Sequence, residues 1–255
     1  EGVEILQPGY AIEYDFLNPQ GLSSDLESGL LGGLFLAGQI NGTTGYEEAA
    51  AQGLVAAIGV AKRLRGVSPV RFDRSTSYIG VMIDDLISRG ATEPYRMFTS
   101  RAEFRLKLRA DNADQRLTEQ GYVSGCVSLK RFSKYTEKIE KLTFCRKALS
   151  TMAVSPNQAR VAGIDLGLDG RRRNGHELLA IPGVSIQQLT VLEPSLIDSD
   201  AGALIQAGRE ALYVTYIERQ GRDIAALARD LSIQIPTAFE YAGISGLSSE
   251  MIAKL

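Results

Sequence analysis

The residues with the clearest capacity for ligand chemistry lie in a glycine-rich turn between an apolar run and an alanine-rich segment. The free N–H groups and partial positive charge of a helix N-terminus attract electron-rich ligand edges. Gly42 and Gly45 let the backbone approach a ligand closely, and Gln39 and Asn41 add amide groups. The pattern predicts a site for a phosphate or for the pyrimidine edge of a flavin. An ordinary tight turn capped by Thr44 is the alternative.

A second group of residues combines arginines with aromatic side chains. Between residues 96 and 116 there are six bases against three acids, and Tyr95, Phe98 and Phe104 lie among them. Arginines pair with phosphates and aromatic rings stack on unpaired bases, so this pattern is typical of a surface that binds a splayed RNA loop. A strand whose arginines lay their aliphatic stems over the core is the alternative. The candidate nucleic-acid contacts are Arg96, Arg101, Arg105 and Arg109.

The remaining reactive side chains favour structural roles. Cys126 and Cys145 are isolated cysteines beside apolar neighbours, and we interpret both as packing residues rather than nucleophiles. His176 is the only histidine, and no cysteine pair has ligand spacing, so we expect no metal site and place His176 in a loop. Asp84 and Asp85 point about 100° apart on a helix, so a cap or salt-bridge role is expected. No residue is assigned as catalytic.

Charge divides the chain into two parts. Eight of the 30 acidic residues fall within residues 1–61, which contain no Lys or Arg, and the rest of the chain holds all 28 bases. This asymmetry suggests two surfaces with different partners, and one of those partners would be a polyanion. An ordinary solvated surface would also produce it. Two cysteines exclude a disulfide framework and suit a reducing compartment. No apolar stretch reaches the roughly 20 residues of a membrane helix, and no signal peptide is recognised.

Periodicity predicts the elements that position these residues. Strands are expected in three places. The first lies within residues 3–16 and is interrupted at Pro8 and Gly9, the second is a buried strand of an α/β sheet at 33–38, and the third is at 105–109. Helices are expected at 49–62, 76–88, 128–152 and, as one or two helices, 201–231. Thr44 and Glu47 have capping-box spacing, Ser248 is expected to cap a last helix, and 156–175 is typical of a loop.

Several long motifs, in order along the whole chain, resemble one known family. This family is the large, FAD-binding subunit of the tRNA uridine 5-carboxymethylaminomethyl modification enzyme, also called MnmG or glucose-inhibited division protein A. The matching segments are residues 37–53, 78–86, 93–103, 111–114, 216–220 and 246–250. One departure is Ile58-Gly-Val-Ala61, where the family more usually has a Gly-x-Asn-Ala-like ending, and it bears on helix packing rather than on ligand binding.

The resemblance implies an activity and a set of partners. The family uses FAD, NADH and a methylene-tetrahydrofolate one-carbon donor to modify C5 of the tRNA wobble uridine, as a homodimer working with a GTPase. It implies that Gln39 contacts FAD and that Asn41, Gly42, Thr43, Thr44 and Gly45 lie at the pyrimidine edge of the flavin. It favours tRNA as the partner of the four arginines. The location expected is cytoplasmic, or mitochondrial for a eukaryotic source, with no membrane partner.

Two family features are absent from this sequence. No two glycines are separated by one residue, so the dinucleotide fingerprint G-x-G-x-x-G is missing, and so is the family's Cys-Pro-Ser sequence. We therefore expect a C-terminal portion of the enzyme that, alone, binds FAD weakly or not at all. The fold expected is an α/β remnant of a FAD-binding Rossmann-like domain (1–66), followed by a mainly α-helical region with a basic surface (67–200) and the start of a C-terminal helical domain (201–255).

Two other functions stay open. One is a non-catalytic helical module that docks tRNA or a protein partner. The other is a different flavoenzyme with the same strand–turn–helix, such as a folate- and FAD-dependent tRNA methyltransferase or a disulfide reductase. The arginine-rich motif argues against a reductase, which would have no use for it.

Overall fold

The structure is a computed structural model that describes residues 2–67, 70–167, 169–236 and 239–254. Within these ranges the regular structure is helical. The helices are α1 Tyr46–Leu64, α2 Tyr78–Arg89, α3 Ala113–Val123, α4 Leu129–Thr151, α5 Pro156–Val161, α6 Gly175–Leu179, α7 Ile186–Leu192, α8 Ala201–Ala211, α9 Val214–Leu231 and α10 Ser249–Lys254. No described helix is both long and apolar enough to cross a membrane.

The long helices form where apolar residues recur at helical spacing, and their predictions are confirmed. The segment 76–88 becomes α2, 128–152 becomes α4, and 201–231 becomes α8 and α9. Ser77 and Ser128 begin α2 and α4, because each hydroxyl accepts a hydrogen bond from a backbone N–H of the first turn. Ser248 likewise accepts from the N–H of Met251 at the start of α10, as expected.

The predicted strands do not form in the described residues. Residues 33–38 pair at a single point, the isolated bridge between Phe35 and Glu27, and residues 3–16 carry no ladder. The pattern was wrong here because a strand needs a neighbouring backbone for its N–H and C=O groups, and the described residues provide only isolated bridges. The side chains of Val3, Ile5 and Leu6 are accordingly exposed.

Two more predictions of local structure are corrected. Residues 105–109 form successive turns rather than a strand, since the N–H groups of Lys107 and Leu108 both bond to the carbonyl of Phe104. The expected loop at 156–175 contains α5 and leads into α6. Capping boxes at Ser155 and Asn174 initiate these two short helices.

The core contains a large cluster, a small one, and a third group formed by Val81, Ala102 and Leu108. The large one packs α4, α6, α7 and α8 around side chains such as Leu142, Leu149 and Leu178. The small one packs α1 and α2 against Leu26 and Tyr95. The segment Ile58-Gly-Val-Ala61, which departs from the family pattern, includes the buried Gly59. A Cβ at Gly59 would meet Asp25 and Phe35, so the glycine lets α1 approach these two residues closely. By contacts the chain forms two units, Glu1–Ile217 and Glu218–Leu255.

Candidate functional site

The glycine-rich turn has a backbone that other residues could not easily adopt. A short 3-10 helix at Gln39–Asn41 is followed by Gly42, whose φ is 80°. A Cβ added to Gly42 would lie 2.7 Å from the Cβ of Ala91 and 3.0 Å from Cε2 of Phe16. Both the left-handed conformation and the close packing therefore require glycine.

A buried glutamine of α1 holds the inside of this turn. The side-chain oxygen of Gln52 accepts hydrogen bonds from the N–H of Gly38 (3.0 Å) and from Nδ2 of Asn41 (2.8 Å). Its Nε2 donates to the hydroxyl of Thr43 at 2.9 Å, and that hydroxyl donates to the carbonyl of Gly38. Asn41, Thr43 and Gln52 are each at most 1% exposed. They therefore shape the turn from within.

The start of α1 differs from the prediction in its cap and in its charge. Gly45 is the N-cap and makes no side-chain hydrogen bond, so the expected capping box of Thr44 and Glu47 is wrong. Instead Glu48 folds back over Gly45 and is 3% exposed. Its Oε1 accepts from the N–H of Met97 at 2.7 Å and lies 3.4 Å from Nε of Arg96.

The carboxylate of Glu48 changes the electrostatics predicted for the helix N-terminus. Burial alone would raise its pKa, but the N–H of Met97 and the charge of Arg96 lower that pKa overall. Glu48 is therefore ionised at neutral pH, and its negative charge partly neutralises the partial positive charge of the first helical turn. The mouth of α1 is consequently less electropositive than its backbone alone would make it.

A cavity of about 330 Å³ opens on the outer side of the turn. Gln39, Gly42, Thr43 and Thr44 form one wall. The other lining residues come from the segments around Phe16 and Pro94 and include Asp15 and Glu93. Of the six residues that the resemblance placed at a ligand, Gln39, Gly42, Thr43 and Thr44 thus line the cavity, and the side chains of Gln39 and Thr44 are exposed. The Asn41 side chain is directed into the turn, and Gly45 lies under Glu48 rather than in the cavity wall.

The segment that begins the arginine-rich region is bound directly to the turn. The N–H of Tyr95 donates to the carbonyl of Gly42 at 2.8 Å, and Thr43 and Tyr95 form a parallel bridge. Met97 is held by Glu48 as described above. The cavity wall and the arginine-rich segment therefore form one hydrogen-bonded structure.

The four candidate arginines occupy different surroundings. The guanidinium carbon of Arg101 lies 4.3 Å from the centre of the Tyr95 ring, and its Nε donates to the carbonyl of Arg96. Arg105 is exposed, and Arg96 is half exposed beside Glu48. Arg109 is only 10% exposed, pairs with Asp111 at 2.9 Å and lies over the Tyr213 ring. The guanidinium of Arg109 is thus occupied by contacts within the protein, which does not fit the predicted nucleic-acid contact.

The paired aspartates make the expected salt bridges. Nη1 of Arg74 lies 2.7 Å from Asp85 and 3.0 Å from Asp84, and its Nη2 lies 2.5 Å from Glu103. Desolvation lowers the pKa of Arg74, but its hydrogen bonds to Glu103 and Asp85 raise that pKa overall. Asp85 also accepts from the Tyr95 hydroxyl at 2.9 Å.

The other candidates are placed as follows. Cys145 is buried in the large core, as predicted, whereas Cys126 is exposed, so its interpretation as a packing residue is wrong. His176 lies in α6 rather than in a loop, with Nε2 3.2 Å from the carbonyl of Arg146. In the described ranges no group of three His, Cys, Asp or Glu residues has the arrangement of a metal site.

Sequence reasoning missed Glu48 and Gln52 in this region, and it assigned Tyr95 to base stacking, which does not fit a residue that is 4% exposed. The signal for Gln52 was available, since it is a polar residue on the face of α1 that also carries Val55 and Ala56. The role of Glu48 and the inward position of Tyr95 gave no local signal, because both depend on contacts with segments about 50 residues away.

Comparisons with known proteins find two matching family models and several relatives. The family model "Glucose inhibited division protein A" matches residues 1–68, and "tRNA modifying enzyme MnmG/GidA C-terminal helical domain" matches residues 130–221. The tRNA uridine 5-carboxymethylaminomethyl modification enzyme MnmG of Granulibacter bethesdensis is 45% identical over 251 residues, which are 98% of this chain and 40% of that protein. The MnmG of Syntrophotalea carbinolica is 46% identical over 258 residues, covering 100% of this chain and 41% of that protein.

Solved structures agree with these relatives. GidA of Aquifex aeolicus in its form II crystal superposes with a TM-score of 0.77 at 34% identity, covering 94% of this chain and 38% of that one. The form I crystal gives 0.74 at 33% identity, covering 94% and 37%. The chain thus spans about 40% of the length of the curated relatives it matches. It belongs to the MnmG (GidA) family of tRNA modification enzymes, of which it represents a portion.

Proposed function

We propose that this chain is part of an FAD-dependent enzyme that modifies C5 of the tRNA wobble uridine, with NADH and methylene-tetrahydrofolate as co-substrates and a GTPase as partner. The observation that carries the proposal is the direct hydrogen bonding between the cavity wall at Gly42 and the arginine-rich segment at Tyr95. A flavin edge and a tRNA loop bound on these two surfaces would lie side by side. The family's activity supplies the rest of the proposal.

The cavity fits the neutral polar edge of a flavin better than it fits a phosphate. Gln39 offers an amide and Thr44 a hydroxyl, which can donate to or accept from ring oxygens and nitrogens. Asp15 and Glu93 line the same cavity, and their carboxylates would repel a phosphate. A volume of about 330 Å³ is near the lower limit of ligand pockets and holds part of a ring system, not a whole dinucleotide. When bound, FAD supplies hydride chemistry.

Riboflavin carries the flavin ring of FAD, and ADP carries its adenine nucleotide end. A binding experiment with both compounds therefore shows which end of FAD the cavity prefers. In an NMR titration of the chain we expect riboflavin to shift the amide signals of Gln39, Gly42 and Thr44, and ADP to leave them unchanged. Shifts caused by ADP and not by riboflavin would contradict the proposal. In a parallel titration followed by flavin fluorescence we expect FAD to bind only weakly, because the chain supplies one edge of the site. Binding tighter than about 1 μM, worth about 8 kcal/mol, would refute this expectation.

The tRNA surface is proposed at Arg96, Arg101 and Arg105. Within the described residues, neither Arg101 nor Arg105 is in an ion pair, so both guanidinium groups are available to phosphates. Replacing either with alanine should reduce the salt dependence of tRNA binding by about 0.7–0.9 in the log–log slope, because one phosphate contact is lost. Arg160, an exposed arginine on α5, provides the matched control. An unchanged slope in the Arg101 and Arg105 variants would contradict the proposal.

The other two functions predict different outcomes. A docking module without flavin chemistry would bind tRNA or the GTPase and show no riboflavin response at the turn. A folate- and FAD-dependent tRNA methyltransferase would share the turn, but both curated relatives are named as 5-carboxymethylaminomethyl modification enzymes, which favours the first function.

The proposal also includes the organisation of the chain. We assign residues 1–66 to a remnant of a Rossmann-like FAD domain, 67–200 to a helical middle region and 201–255 to a C-terminal helical domain. A homodimer and a cytoplasmic location, or a mitochondrial one in a eukaryote, complete it. These assignments rest on the family resemblance.

A further inference from the structure

Tyr95 connects the two proposed surfaces. Its backbone N–H is bonded to Gly42 in the cavity wall, and its ring, 4% exposed for the whole residue, lies under the guanidinium of Arg101. Its hydroxyl donates to the buried carboxylate of Asp85 at 2.9 Å. One residue therefore contacts the turn, the core of α2 and a candidate tRNA contact.

We propose that Tyr95 is a positioning residue for nucleic-acid binding, which holds the guanidinium of Arg101 at a defined place beside the cavity. The proposal deepens the function proposed above and rests on it. Tyr95 does not touch the nucleic acid in this scheme. It acts through Arg101, whose long side chain would otherwise be free to adopt many rotamers.

Three contacts define the position of Arg101. The ring of Tyr95 attracts its guanidinium from one face by a cation–π interaction at 4.3 Å. Its Nε donates to the carbonyl of Arg96 at 2.7 Å, and its own carbonyl accepts from Nη2 of Arg74 at 3.3 Å. A guanidinium ordered in this way loses less conformational entropy when it binds a phosphate than a free side chain does.

The orientation of the Tyr95 ring is itself determined by the core. Asp85 is 2% exposed and fixed by Arg74, so the acceptor of the Tyr95 hydroxyl cannot move easily. Desolvation and the hydrogen bond to Asp85 both raise the pKa of Tyr95, so the phenol stays protonated and keeps donating at neutral pH. The ring is thus held by its backbone at one end and by its hydroxyl at the other.

The test is a double-mutant cycle on the full 255-residue chain, with an unmodified tRNA transcript as the probe in filter binding at several salt concentrations. Tyr95→Leu removes the ring, Tyr95→Phe keeps the ring without the hydroxyl, and Arg101→Ala removes the guanidinium. We expect Tyr95→Leu to weaken binding about two- to fivefold in the wild-type background, and to have no effect in the Arg101→Ala background. Tyr95→Phe should retain most of the affinity.

Two results would overturn the proposal: additive effects of Tyr95→Leu and Arg101→Ala, or equal losses in Tyr95→Phe and Tyr95→Leu. Failure of the proposed function looks different, since the wild-type chain would then show no salt-dependent tRNA binding.

A measurement on the wild-type protein covers the case in which Tyr95→Leu does not fold. A guanidinium 4.3 Å from the ring centre should shift the Arg101 side-chain proton signals upfield through the ring current. Absence of that shift would overturn the proposal without any variant.

Discussion

Gln52 offers a direct test of how the candidate cavity wall is held in shape. Replacing Gln52 with leucine keeps a similar side-chain volume but removes the hydrogen bonds to Gly38, Asn41 and Thr43. Two of the groups affected are donors, the N–H of Gly38 and one N–H of the Asn41 amide, and both would be left buried without this acceptor. Each unsatisfied donor costs about 2 kcal/mol, and burying the leucine returns about 1.5 kcal/mol. We therefore expect a loss of about 2.5 kcal/mol of unfolding free energy.

Urea and thermal unfolding followed by circular dichroism measure this loss. For a unit of this size the midpoint temperature should fall by roughly 5–10 °C. Gln39→Leu is the matched control, because Gln39 lies in the same turn but is exposed, and its replacement should change the unfolding free energy by less than about 0.5 kcal/mol. Equal unfolding free energies for the two variants would refute the reasoning, since the buried network would then contribute nothing to stability.

Two further predictions concern Gly42 and Glu210. Gly42→Ala should lower the unfolding free energy by about 1–3 kcal/mol and abolish riboflavin-induced shifts at the turn, because its Cβ meets Ala91 in a left-handed backbone; an unaltered riboflavin response would contradict this. Burial raises the pKa of the Glu210 carboxyl, but hydrogen bonds from Arg146 and Gln115 lower it overall. The carboxylate therefore stabilises the fold above its unfolded pKa of about 4.3, and this contribution is lost as the pH falls through the lower folded value. Glu210→Gln should thus lower the unfolding free energy by about 1–3 kcal/mol at pH 7 and by progressively less in acid, as urea titrations at several pH values would measure; a pH-independent difference would argue against it.

The helices of this protein could be predicted from local patterns. The segments 76–88 and 128–152 were placed within a few residues, because apolar residues at a spacing of 3.6 define one buried face and a serine at the start satisfies the first N–H groups. The salt-bridge role of Asp84 and Asp85 was also predicted, since ionised side chains on a half-buried helix need partners. In these cases the interactions that decide the structure lie within one or two helical turns.

The strands were not predictable in the same way. Residues 33–38 and 105–109 have strand-like sequences, yet the described residues offer their backbones no continuous partner. A strand is stabilised by hydrogen bonds to another segment, so its formation depends on chain that is distant in sequence or outside the described residues.

In the candidate site, too, some features could be predicted from local sequence and others could not. The residue types of the turn were sufficient to predict a glycine-rich turn, a ligand site beside it and a family, because the glycines and the order of the motifs can be recognised in the local sequence. The positive φ of Gly42 was found only in the structure. Tertiary packing turned Asn41 and Thr43 inward to Gln52, placed Glu48 against Met97 and laid Arg109 over the Tyr213 ring. The direction of a polar side chain follows from which donors, acceptors and rings lie opposite it. For Glu48 and Arg109 those partners, Met97 and Tyr213, come from segments far along the chain.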